Sequence, residues 1–309
     1  FLNSLAAPPE GEADDMISKY ESQSGSITDT LKEKLELARA LGVVDERTVF
    51  EGVKGRYSAA AKKALKSTVT VISDIDVFQG GRPRRVEYYG SGFIFKPDGD
   101  RKVDGYVMTC YENIAGSRSV RVMLADHSVY DARVIGLDVP ANLAVLQLDR
   151  DQMQERSPEL VALEWADSDK VKKNVAQFVL TTGSPLAFPN SVSMGIISCP
   201  DRYANYQLRT GQMSGRFNQF FQTDSQINWG SSGGPLIDLD GEVCGVAVTT
   251  EGIYRAFNLR DYNGLFFAVH SNFARAIGNE IKRSGKIERS YTGILVDSLK
   301  SLELDISFK

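Results

Sequence analysis

A chain of 309 residues is long enough to bury a substantial core, and its composition is that of a globular protein. With 36 basic against 40 acidic side chains and a net charge of −4, it lacks the concentrated basic face that nucleic-acid binding requires. Three widely spaced cysteines, Cys110, Cys199 and Cys244, fit neither a paired zinc motif nor a disulfide scaffold, and no apolar run reaches the roughly eighteen residues of a membrane-spanning helix.

Residues 1–25 are rich in Pro, Gly, Ser and acids and read as an extended arm that orders only against something else. In "SITDTLKEKLELARALG", Leu31, Leu35, Ala38 and Leu41 recur at helical spacing, Ser26 or Thr28 can cap the start, and Gly42 can close the end. A second helical pattern, "YSAAAKKAL" at residues 57–65, leads directly into "STVTVIS". From there short β-branched runs follow one another without intervening helices: "TVTVIS", "GSGFIF", "GYVMTC", "SVRVML", "ARVIGL", "LAVLQL". Arg82, Arg84 and Arg85, the tight basic cluster of this region, read as a solvated loop tip. After the polar link "DRDQMQERSPE" the texture repeats with "QFVLTT", "VSMGIIS", "QFFQTD", "GGPLID", "VCGVAV" and "LFFAVH". Two all-β units in tandem is the economical interpretation. "SNFARAIGNEIKRSG" then reads as a terminal helix with Phe273, Ile277 and Ile281 on one face and Gly285 as its stop. The last stretch begins like a strand and is too short for a further domain.

The stretch "QTDSQINWGSSGGPLIDLDGEVCGV" closely resembles the serine loop of the HtrA/Deg branch of trypsin-like peptidases, Q-T-D-x-x-I-N-x-G-x-S-G-G-P-L. "GSGFIF", "DGYVMT", "NLAVLQL", "FVLTTGSPLAFPNSVSMGIIS" and "FFAVHSNFARAI" extend the resemblance over residues 58–290. It implies an all-β fold of two six-stranded antiparallel barrels with the active site in the cleft between them. The organisation expected is an arm and helical extension at 1–57, a first barrel at 58–157, a second at 158–270, and a C-terminal helix and tail at 271–309.

Carried over residue by residue, the resemblance puts the nucleophile at Ser232 and the oxyanion-hole amides at Gly230 and Ser232. Backbone amides aimed at the developing oxyanion are worth about 3 kcal/mol each. Trp229 replaces the proline usual before Gly230 and sets a bulky ring near the hole, and Ser231 stands where trypsin-type zymogens carry an aspartate. The other two triad positions are changed. Where the family reads T-N-N-H-V this chain reads "TCYENI", placing Glu112 at the histidine, and "NLAVLQL" supplies Asn142 at the aspartate. A carboxylate with a reference pKa of about 4.3 is a poor base for a serine hydroxyl at neutral pH and a poor proton donor to a leaving amine. Loss of the histidine from such a triad costs roughly a millionfold in turnover. His127, in a hairpin turn, and His270, after the final strand, read as surface or structural residues; Lys170, Lys172 and Lys173 and the thiol of Cys110 offer no substitute chemistry.

The resemblance thus implies a pseudoprotease that binds or scaffolds, the alternative being a weak serine endopeptidase with Glu112 as base. Tyr203, Tyr206, Met213 and Phe217 in the loop at residues 200–220 suit either a binding surface or a lid packed on its own barrel. No cofactor or metal is expected. Family members assemble as trimers and often carry PDZ domains after the barrels, so the expectation is a homotrimer, or a hetero-oligomer with other Deg-like subunits or a larger complex, in a chain without a complete PDZ domain. Phe1 in place of an initiator Met fits a processed organellar protein of chloroplast or mitochondrion, with the periplasm as the other address.

Overall fold

Alternating β-branched and aromatic runs that bury on both faces build this molecule, which we describe from a computed structural model covering residues 46–79, 82–172, 175–203, 206–208, 210–214, 219–248 and 264–289. The expected arm at 1–25, helix at 26–42 and terminal strand-like stretch lie outside the described residues. The first element, α1 (Glu46–Ser67), starts well before residue 57. Its first turns carry Gly52 and Gly55, poor helix formers that weaken the helical signal ahead of residue 57. Its last turns bury Ala60 and Ala64, small side chains that let the helix lie close to Leu180 and Ile237 in one apolar cluster.

The first barrel closes in the order β1 (Thr68–Gln79), β2 (Arg82–Ile94), β3 (Tyr106–Thr109), β6 (Leu143–Leu148), β5 (Val129–Asp138), β4 (Ser117–Met123), all neighbours antiparallel. One helical turn, α2 (Tyr111–Ile114), follows β3. Two short helices, α3 (Arg150–Arg156) and α4 (Ser168–Val171), lead into the second barrel, each capped by an aspartate, Asp149 and Asp167, that accepts a first-turn N–H.

The second barrel closes as β11 (Phe220–Thr223), β14 (Phe266–His270), β13 (Val243–Val248), β12 (Pro235–Ile237), β7 (Phe178–Gly183), β8 (Ser191–Arg202). A small hairpin of β9 (Tyr206–Gln207) and β10 (Met213–Ser214) stands between β8 and β11. The C-terminal helix α5 (Ser271–Ser284) ends where Gly285, at φ 74°, donates to the Ile281 carbonyl at 2.7 Å. The fold is the expected pair of six-stranded barrels with a C-terminal helix.

Each barrel has its own apolar filling, Val71, Ile94, Val122 and Leu146 in the first and Val179, Ile197, Phe221 and Leu236 in the second. A third cluster, with Phe93, Met108, Leu143, Phe220, Val269 and Ile277, binds the barrels to each other and to α5. Beside it the interface is hydroxylic. Thr68 and Thr182 meet at 2.6 Å, and Thr70 and Ser184 at 2.5 Å, all buried. This polar seam ends at the serine loop.

Candidate active site

The loop between β11 and β12 turns on two glycines. Gly230 has φ 89° and Gly233 φ 86°, conformations that side-chain-bearing residues avoid. Space forbids a side chain as firmly: a Cβ at Gly230 would lie 2.4 Å from the Ser184 carbonyl oxygen, and one at Gly233 2.3 Å from that of Ser91. Bonds within the loop set its curl, Ser231 N to Asn228 O at 2.9 Å and Gly234 N to Ser231 O at 3.0 Å. The first barrel then pins it. Ser91 N donates to the Ser232 carbonyl at 2.9 Å, and Asn113 Nδ2 donates to the same oxygen at 2.8 Å.

The backbone before the serine has a defined orientation. The Trp229 carbonyl accepts from Leu186 N at 2.7 Å, and the Gly230 carbonyl accepts from Ser91 Oγ at 2.5 Å. Because the peptide is planar and trans, the Gly230 N–H points away from the 3₁₀ turn Pro185–Ala187 that holds the Trp229 carbonyl. The Trp229 ring is 47% exposed.

Glu112 enters from α2 and is 7% exposed. Ser232 Oγ donates to its Oε1 at 2.9 Å. Asn142, fully buried and at φ 54°, turns the chain just before β6. Its Oδ1 accepts the backbone N–H of Glu112 at 3.0 Å, its Nδ2 donates to Tyr206 Oη at 3.1 Å, and its carbonyl accepts Tyr111 N at 3.1 Å. Positions 232, 112, 142 and 230, taken from three separate stretches of sequence, therefore meet in one place. Asn142 grips the backbone of residue 112 and brings no charge. The electrostatic consequence appears in two neighbours. Burial, reinforced by the negative charge of Glu112, pushes the Cys110 thiol and the Tyr206 phenol well above their ordinary values.

Three residues of this arrangement were not singled out for it by sequence. Tyr206 is one of the loop aromatics, but it is 2% exposed and inserted into the inter-barrel cluster, with its hydroxyl on Asn142, so it belongs to the packed side of that loop. Tyr203 and Met213 are exposed at 72% and 59%, and Phe217 lies outside the described residues. Ser91 and Asn113 act on backbone carbonyls, which leaves no pattern in a sequence. Asn113 Nδ2 faces three acceptors, Ser232 O, Ser91 O and Thr109 Oγ1, while its buried Oδ1 has no hydrogen-bond partner.

The remaining candidates are elsewhere. His127 is exposed in its turn at φ 67°. His270 is 2% exposed against Phe221, with Nε2 3.0 Å from the Pro200 carbonyl, and burial followed by the nearby Lys172 charge lowers its pKa to about 4. Lys170 is exposed, Lys172 bonds Gln219 and Asp169, and Lys173 is outside the described residues. Among the described residues no group of three His, Cys, Asp or Glu side chains is arranged to hold a metal ion.

Comparison with known proteins agrees with this geometry. Residues 90–246 match the trypsin-like peptidase domain. The chain is 35% identical over 219 residues to a protein of Marinomonas sp. (strain MWYL1) named probable periplasmic serine endoprotease DegP-like, covering 71% of this chain and 40% of that protein. A protein of the same name from Pseudomonas fulva (strain 12-X) is 32% identical over 223 residues, with coverage of 71% and 40%. The chain thus spans about 40% of the length of the curated relatives it matches. In fold it is similar to the HtrA-type protease AlgW with tripeptide, at a TM-score of 0.56 and 25% identity over 75% of this chain and 65% of the other, and to AlgW with decapeptide, at 0.60 and 24% over 79% and 72%. A peptidase domain matched across half of the sequence, in the two-barrel fold and with the serine loop set between the barrels, makes this chain a member of the HtrA/Deg family of trypsin-like serine proteases.

Proposed function

We propose that this chain is a pseudoprotease, a family member that keeps the cleft and serves as a non-catalytic binding or structural subunit. The observation that carries the reading is Asn142. Both ends of its amide are committed, one to the Glu112 backbone and one to Tyr206, and it supplies no negative charge to orient and stabilise a protonated base. The base itself is a carboxylate. It accepts the Ser232 hydrogen bond at 2.9 Å, and a carboxyl group is a poorer match than an imidazole both for taking the serine proton and for handing it to a leaving amine. A loop that keeps its glycines and its bonds to the first barrel supports retention of the groove.

The Ser232–Glu112 hydrogen bond favours a second reading, a weak serine endopeptidase with Glu112 as base. Incubation with unfolded casein separates the two. The pseudoprotease reading expects no proteolysis beyond that of the Ser232→Ala variant, and cleavage that vanishes in Ser232→Ala would establish the endopeptidase. The proposal extends to assembly and compartment: a homotrimer or a hetero-oligomer with Deg-like subunits, in an organelle or the periplasm. The periplasmic names of the relatives support the latter address.

A further inference from the structure

One side of the cleft continues into an open strand edge. Ser91 of β2 turns its N–H to the Ser232 carbonyl. Strand alternation turns the N–H and C=O of Tyr89, Glu87 and Arg85 to that same side. β2 pairs with β1 along its whole length in unbroken register, but with β3 only at residues 92–94, so among the described residues no strand covers the outer edge from 82 to 89. The edge runs about 20 Å outward from the serine loop.

The side chains along it are sorted by charge. Arg82, Arg84 and Arg85, which sequence alone assigned to a loop tip, stand exposed on this strand. None has an ion-pair partner among the described residues, whereas the acids of the same arm are occupied: Asp76 by Arg118, Asp74 and Glu87 by Arg121. At the cleft end of the edge the opposite wall is apolar. Leu186 and Phe188 are 68% and 67% exposed, next to Trp229, whose carbonyl holds the Leu186 amide. Leu186, Ala187 and Asn190 all have positive φ, a costly backbone sustained by bonds such as Leu186 N to the Trp229 carbonyl and Phe188 N to the Pro185 carbonyl. The Ser91 hydroxyl ties both walls together by accepting from Ser184 N at 2.8 Å and donating to the Gly230 carbonyl.

We propose that this edge takes an extended acidic polypeptide segment as an added antiparallel strand, with an apolar side chain seated against Leu186, Phe188 and Trp229 and carboxylates following it towards Arg82, Arg84 and Arg85. The proposal rests on reading the cleft as a binding groove, and it specifies the partner. Main-chain pairing supplies affinity without sequence preference, and selection for acids comes from the arginines, chiefly Arg82 and Arg84, which face Gln79 and Val77 across the β1–β2 register, whereas Arg85 faces Asp76. Antiparallel addition fixes the order, because a strand running against β2 meets the apolar wall first and the arginines afterwards.

The test uses two labelled, unstructured peptides with the same apolar N-terminal half, one followed by a run of Asp and Glu and the other by a run of Lys. Binding is read by fluorescence anisotropy on the full chain and on Arg82→Glu/Arg84→Glu, neither of which lies opposite an acid in the β1–β2 register. The acidic peptide should bind about tenfold more tightly than the lysine peptide, with a gap that narrows as salt rises and disappears in the double variant. Equal binding of the two peptides, binding of neither, or a preference that survives the double variant would overturn the proposal. Mass spectrometry of the recovered peptides keeps the two readings apart, since Ser232-dependent cleavage would contradict the pseudoprotease while leaving the acidic preference standing.

Discussion

Asn142 makes the backbone contact that an aspartate at its position could make, without an aspartate's charge. An aspartate and an asparagine can both occupy φ 54° and both accept the N–H of residue 112, so the backbone geometry does not require the charge. His270 is the reverse case, a titratable group whose position silences it. Burial and then Lys172 depress its pKa to about 4, while Asp201 and Asp169 and the bond to the Pro200 carbonyl oppose the shift without cancelling it. An unfolded histidine takes up a proton near pH 6.5 and the folded one does not until about pH 4, so stability from this residue is complete above pH 6.5 and lost as pH falls through that window. The loss should amount to about 3 kcal/mol at its acid end. Urea unfolding at neutral and mildly acid pH should show it, and His270→Gln should flatten that part of the profile; an unchanged profile would place the titration elsewhere.

At the scale of elements, chain segments are held by specific side-chain ties as well as by packing. Arg289, in the segment that follows α5, makes a two-pronged bond to Asp138 at the end of β5, and Asp138 is 4% exposed. Arg289→Ala strands a buried carboxylate and should lower unfolding free energy by about 2 kcal/mol, less than for a fully buried pair because the guanidinium is partly solvated. Adding Asp138→Asn should recover most of that loss, as a double-mutant cycle by denaturant titration would show; an additive pair would mean that the ion pair is not the tie. What sequence reveals at this scale follows from periodicity. Strands such as β6, six buried residues in "LAVLQL", and α5, with Ile277 and Ile281 four apart, announce themselves. The first half of α1 is less plain, because Gly52 and Gly55 interrupt it, and the β9–β10 hairpin is two residues a side. The site divides in the same way. Ser232, Glu112 and Asn142 can be located by register within motifs, whereas Tyr206, Ser91 and Asn113 owe their roles to atoms brought close only by folding.

The molecule as a whole is a cleft assembled across two barrels. Glu112 and Asn142 come from the first, Gly230 and Ser232 from the second, and the link between them is Ser91 and Asn113 acting on the serine loop together with the hydroxyl seam at Thr68, Thr182, Thr70 and Ser184. None of these ties involves the side chains of residues 112 and 142, so the frame of the site should survive their replacement. The pseudoprotease proposed above depends on that separation, with Glu112 and Asn142 replaceable inside a frame held by other residues. The most direct test is the double variant Glu112→His/Asn142→Asp, assayed for casein cleavage beside the same variant carrying Ser232→Ala. Measurable cleavage that depends on Ser232 is expected, with either single change recovering far less, since a histidine without its aspartate loses about 10⁴-fold. A folded double variant that leaves casein untouched would contradict it, and would mean that the cleft itself, rather than two side chains, has been lost.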